Sequence, residues 1–197
     1  MTIQQIPTIL IAYPRNFSSY RKFKAKVSNI LSNLSGYRLA YLDDYNELIS
    51  KYLSSDSSSR ESLAHLEESR LEEVTHAIIF NDGESFISLI ERAKNSGIKF
   101  RIIETTLTKV ANVDKGEKHD VYIGRGSPWG NPYAIGFDGD REEVIRKYRY
   151  DFDREFLRFN KDDVLKLRGK ILGCHCKPAP CHGDVIAEYL NSLDDAD

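Results

Sequence analysis

Thr8-Ile-Leu-Ile-Ala12 and Ala77-Ile-Ile-Phe80 are short, unbroken apolar runs. Apolar runs of this length without alternation fit strands covered on both faces, as in a parallel sheet. Each run is followed by a break and then by helical spacing. After the first, Tyr13-Pro-Arg-Asn interrupts the pattern, and Phe23, Val27, Ile30, Leu31 and Leu34 then recur every three or four residues up to Ser35-Gly36. After the second come the turn Asn81-Asp-Gly83, a helix over 85–95, Gly97 as its stop, and the strand Lys99-Phe-Arg-Ile-Ile103. Residues 37–42 predict one more strand and the Ser-rich stretch 54–59 a loop. Leucines 63, 66 and 71 predict an amphipathic helix over 62–74. Strands alternating with helices imply βαβ units, with the first two runs as near neighbours in one parallel sheet.

Outward from this lobe, 197 residues allow two small bodies, each with a core of its own. The stretch 104–118 is polar and without period, so the lobe is bounded at 1–105, with 106–118 as a linker and a second domain over 119–193. The second domain reads as a strand over 121–123, a Gly-rich loop, and a helix over 141–159 capped by Asp140. A short helix over 162–167, a strand over 171–176, a Pro-rich elbow and a helix over 183–193 complete it; the tail 194–197 is expected to fray. The fold class is α/β: a Rossmann-like parallel-sheet N-terminal lobe followed by a small α/β domain.

The net charge is -2, without the basic excess of a dedicated duplex-DNA binder. A local basic face that meets nucleic acid stays open. The N-terminus has no charged start leading into an apolar run, and no stretch reaches the ~18 apolar residues that span a bilayer. A cytoplasmic protein without a membrane partner is expected, in the host cytoplasm if a phage encodes it.

All three cysteines, Cys174, Cys176 and Cys181, fall in one eight-residue window. In a reducing compartment such a cluster reads as metal-binding or reactive thiols rather than a disulfide frame. On a strand Cys174 and Cys176 share a face, and the elbow returns Cys181 and His182 beside them. These four side chains compose a tetrahedral zinc set, zinc being the one cofactor the sequence suggests. The competing reading keeps Cys176, Cys181 and Asp184 for catalysis. In it, His182 and Gly183 open a helix whose free N–H groups attract an anion. Both readings stand on the sequence.

The loop Arg125-Gly-Ser-Pro-Trp-Gly-Asn131 supplies the second group of candidates. Arg125 suits a phosphate or carboxylate, Gly126 lets a ligand approach, Ser127 and Asn131 can read polar edges, and Trp129 can stack on a base. Loops that follow neighbouring parallel strands gather at one edge, so this loop and the cysteine elbow are expected to form one site.

The stretches Val121-Tyr-Ile-Gly-Arg-Gly-Ser-Pro-Trp-Gly-Asn-Pro132, Leu167-Arg-Gly-Lys-Ile-Leu-Gly-Cys-His-Cys-Lys-Pro178 and Cys181-His-Gly-Asp-Val185 resemble an uncharacterised domain family found mainly in phages and bacteria. That pattern includes Cys174, Cys176, Cys181, His182, Gly183 and Asp184, while the place of His175 is often another residue. Ile9-Leu-Ile-Ala with Arg15-Asn-Phe-Ser-Ser-Tyr20, and Asn81-Asp-Gly-Glu-Ser85 with the helix after it, resemble the SLOG superfamily of Rossmann-like nucleotide-binding domains. The superfamily's Gly-Gly-Ala-x-Gly-Ala-Asp phosphate segment is replaced here by residues 41–59. The resemblance implies a nucleotide or other anionic small molecule as ligand. Its alternative is a non-catalytic, zinc-stabilised module that binds nucleic acid or protein, such as a phage-encoded effector of host functions.

Overall fold

A computed structural model of the chain describes residues 6–34, 36–55 and 63–193. It divides into two compact units, one ending at Thr105 and the other spanning Thr106–Leu193. Most of the Ser-rich stretch and the acidic tail lie outside the described residues.

In the first unit, β1 (Thr8–Ala12), β2 (Arg38–Tyr41), β3 (Leu63–His65), β4 (His76–Asn81) and β5 (Lys99–Glu104) form one sheet in the order β3-β2-β1-β4-β5, with every pairing parallel. β1 and β4 are central neighbours, Ile9 opposite His76 through Ala12 opposite Ile79. This explains their unbroken apolar sequences, because each face of these strands is covered. Leu10, Ala12, Ala77 and Ile79 pack with Leu89 and Ile90 of α3 (Ile87–Asn95). Among the other buried side chains, Phe23 of α1 (Tyr20–Leu31) stacks on Phe80 and meets Tyr52 of α2 (Leu48–Ser55) edge-on. Ser19 starts α1 by accepting a hydrogen bond from the Lys22 N–H, satisfying one free donor of the first turn.

The amphipathic helix expected over 62–74 is corrected. Leu63–His65 is an edge strand paired with β2, and Glu68–Glu73 forms 3-10 turns that bury Leu71. The leucine spacing fits both structures, but only the strand extends the sheet.

The second unit is built on β6 (Lys109–Asn112), β8 (Ile171–Cys174) and β7 (Val121–Tyr122), in the order β6-β8-β7 and again parallel. The expected linker over 106–118 is therefore corrected: it contains β6, which gives β8 a partner on its second side. Three helices cover this sheet, α4 (Arg141–Asp153), α5 (Lys161–Leu165) and α6 (His182–Ser192). Their buried residues Tyr148, Phe152, Val164, Ile186 and Leu190 pack with Ile123 and Leu172. Asn191 fixes α6 to the start of β6, its amide donating to the Thr108 carbonyl and its carbonyl accepting from the Thr108 N–H. No helix among the described residues is long and apolar enough to cross a membrane.

Candidate functional site

The described residues form concave sites in both units. In the first, β1, β2 and β4 end beside one another and release Tyr13-Pro-Arg, Leu42-Asp and Ser85-Phe into loops. These surround a crevice of about 550 Å³, completed by Tyr45, His65, Glu67 and Leu89. Among the described residues Arg15 is the one Arg or Lys of its lining, and it lies 5.5 Å from the Tyr45 ring centre. The Tyr45 hydroxyl is hydrogen-bonded to Asp43, which raises its pKa.

Tyr13, in the wall beside Arg15, is held by Asp44. Its carboxylate accepts from the Tyr13 hydroxyl at 2.5 Å, from the Ile49 and Ser50 N–H groups, and from the Ser50 hydroxyl. Burial opposes ionisation of Asp44, but these hydrogen bonds outweigh it and hold the carboxyl below its ordinary value. Burial, with the carboxylate beside it, pushes the Tyr13 hydroxyl up. The segment around Asp44 thus caps α2 and pins Tyr13 instead of presenting glycine N–H groups.

The second site lies at the carboxyl edge of the smaller sheet. β8 ends on Cys174, the elbow passes Cys176, and Cys181 is the residue before the first turn of α6. The three sulfurs lie within 4.8 Å of one another. Cys174 and Cys181 are buried and Cys176 half-buried. They face a cavity of about 160 Å³ that is also lined by Arg125, Asn131, Tyr133, Arg141, His175 and His182. A hydrogen bond from the Cys181 thiol favours the Cys174 thiolate and, against the effect of burial, draws Cys174 down to about 5. Burial and that neighbouring thiolate push Cys176 up, and the same hydrogen bond, with burial, pushes Cys181 up.

The loop and the cysteine elbow do line one cavity, yet the expected residues fare differently within it. Arg125 is exposed at the rim, and Arg141, which sequence reading left inside a helix, reaches over from α4 to donate to the Pro180 carbonyl at 3.2 Å and interacts with Cys176. A cation in the first turn of a helix opposes the helix dipole, and that unfavourable placement was the available signal. Asn131 lines the cavity, but its amide donates to the Val144 carbonyl and its carbonyl accepts from the Tyr133 N–H, so it mainly orders the loop. The Ser127 hydroxyl donates to the Gly124 carbonyl. Gly126 takes φ +94 with open space around it, whereas a side chain on Gly130 would lie 2.8 Å from the Gly124 carbonyl oxygen.

Four of the expected residues are engaged by the fold itself. Trp129 packs against the core and its ring lies 4.8 Å from that of Phe159, outside the cavity lining. His182 is buried, its Nε2 is 2.8 Å from the Ile123 carbonyl, and it does not join the three sulfurs as a fourth ligand. Gly183 is buried beneath the sheet, where an added Cβ would come within 2.6 Å of Ile123, so its lack of a side chain serves close packing. Asp184 accepts from the Cys181 N–H and pairs with Lys177, closing the first turn of α6. His175, set aside on the sequence, bridges Asp114 at 2.7 Å and the Tyr122 hydroxyl at 2.9 Å.

Comparison with known proteins divides the chain in the same way. Residues 6–111 match the minimal SLOG domain, and residues 107–192 match a domain of unknown function, DUF4326. An uncharacterised 12.4 kDa protein from the nrdA-td intergenic region of Enterobacteria phage T4 is 44% identical over 90 residues, a match covering 44% of this chain and 81% of that protein. No solved structure matches. At a coarse level the SLOG match supports a nucleotide-related ligand.

Proposed function

The chain belongs to the minimal SLOG family through residues 6–111, and from that premise we propose that it binds a nucleotide or nucleotide-derived small molecule in the crevice of the first unit. One observation carries this reading. The crevice lies over the carboxyl ends of β1, β2 and β4, where the strand order turns back, which is where open parallel sheets take ligands. About 550 Å³ falls within the range of small-molecule pockets, as does a groove of about 420 Å³ along Arg125, Gly126, Ser127 and Asn131 in the second unit, whereas the cavity of about 160 Å³ beside the cysteines falls below the ~300 Å³ at which that range begins. The groove along residues 125–131 is the competing place for the ligand, and topology favours the crevice of the first unit.

The lining suggests the roles. Arg15 and the N–H groups that open α3 take the phosphate. Asp43, just beyond β2, takes ribose hydroxyls, as an acidic residue does at the matching place of dinucleotide-binding folds. Among the described lining residues, one cation against Asp43 and Glu67 suits a single phosphate better than a triphosphate. A thermal-shift panel of ribonucleoside mono- and triphosphates, cyclic nucleotides, ADP-ribose and their deoxy forms tests the reading. A ribose-containing ligand with few phosphates should raise the melting temperature, and Arg15→Ala should abolish the rise. Protection by none, or protection removed by Arg125→Ala but kept in Arg15→Ala, would refute it.

The convergence of three thiols favours a second reading for the other unit, in which zinc stabilises a module that contacts nucleic acid or protein. Stoichiometric zinc without protection by any nucleotide would favour it.

A further inference from the structure

The three cysteines reach one point from three directions: the end of β8, the elbow, and the residue before α6. Their sulfurs fit a single ion. Tetrahedral zinc with bonds of ~2.3 Å holds its sulfurs roughly 3.8 Å apart, and here all three lie within 4.8 Å of one another. An iron–sulfur cubane places each thiolate on a different iron and so spreads its ligands more widely. Thiolates as the whole donor set select zinc among the common divalent ions.

The fourth position separates a structural site from a working one, since structural zinc is closed by four protein ligands and catalytic zinc keeps one position for water or substrate. Among the described residues no fourth His, Cys, Asp or Glu joins the cluster. The nearest candidate by sequence, His182, has neither ring nitrogen within 4.8 Å of all three sulfurs, and Asp184 is engaged by Lys177 and the Cys181 N–H. All three cysteines border the 160 Å³ cavity, whose lining includes Arg141, with its side chain next to Cys176, and Arg125, exposed at the rim. Three thiolates on a divalent ion leave one net negative charge, which Arg141 is placed to balance.

We infer that Cys174, Cys176 and Cys181 form a mononuclear three-thiolate zinc site whose fourth position opens onto this cavity and takes a small anionic ligand held by Arg141 and Arg125. The inference is independent of nucleotide binding by the first unit.

Cobalt substitution of the full-length chain, reduced and handled without oxygen, tests it. One Co²⁺ per chain should bind, giving thiolate charge-transfer bands and intense tetrahedral d–d bands. Cys176→Ser, at the most exposed of the three positions, should lose those charge-transfer bands or weaken binding at least tenfold. Titration with sodium azide should shift the d–d bands of the unaltered protein. Arg141→Gln should keep the metal and weaken the azide response about five- to tenfold, as expected for removing one nearby charge. His182→Gln should keep both metal and azide response. Failure of the reduced protein to bind cobalt or zinc at micromolar concentration would overturn the proposal. A spectrum indifferent to azide would overturn it equally, whether or not His182→Gln alters that spectrum.

Discussion

Replacing Asp44 by Ala removes four hydrogen bonds at one carboxylate: from the Tyr13 hydroxyl, the Ile49 and Ser50 N–H groups and the Ser50 hydroxyl. Loss of the helix cap costs about 1 kcal/mol. The Tyr13 hydroxyl is the larger loss, because its ring is 1% exposed and a hydrogen bond to a charged acceptor contributes roughly 1.5–3 kcal/mol. The N–H of Asn46 still reaches the Tyr13 oxygen but does not accept its proton. The sum is about 3 kcal/mol, equivalent to roughly 15 °C in melting temperature for a unit of this size.

Urea unfolding at pH 7 can read this loss by far-ultraviolet circular dichroism. The single tryptophan, Trp129, belongs to the other unit, so its fluorescence provides an internal control. The pH dependence has a definite sign. Asp44 has a lowered pKa in the folded chain, so its contribution is complete above the unfolded carboxylate value of about 4 and fades as the pH falls through the lower folded value. The gap between the two proteins should narrow in acid. A loss below 1 kcal/mol at pH 7, or a gap undiminished at pH 2.5, would refute the reasoning.

Asp184→Ala should destabilise the chain by about 1–2 kcal/mol, through the lost Lys177 pair and the lost hydrogen bond to Cys181, as urea unfolding would show. A neutral substitution would mean that the carboxylate is free for chemistry, as the sequence first suggested. Trp129→Ala should cost about 2–3 kcal/mol, less than for a fully buried aromatic because the ring is only partly covered, and should leave nucleotide affinity unchanged by calorimetry. Lost affinity at an unaltered melting temperature would instead make the ring a stacking platform.

The central strands were legible because β1 and β4 are covered on both faces and therefore write unbroken apolar runs. β3 was not, since three residues at a sheet edge carry too few side chains to set a period, and Leu66 and Leu71 fall at helical spacing by coincidence. β6 escaped for a related reason: Lys109-Val-Ala-Asn112 has two apolar residues, and its strand character comes from pairing with β8, far along the chain. The cysteine cluster was visible through spacing alone. What spacing could not give is direction, which depends on the hydrogen bonds turning His182 to Ile123 and Asp184 to Lys177. Arg141 was hidden for the same cause, since its reach across to Pro180 joins residues 39 apart.

The claim that the first unit's crevice holds the nucleotide is tested most directly by photoaffinity labelling with an azido-adenine ribonucleotide, followed by mapping of the cross-linked peptide. The label should fall on peptides that line the crevice, those containing Tyr45 or Phe86, and should be displaced by the unmodified nucleotide. Displaceable label on the peptide that carries Arg125 and Tyr133 would place the ligand in the second unit and contradict the account.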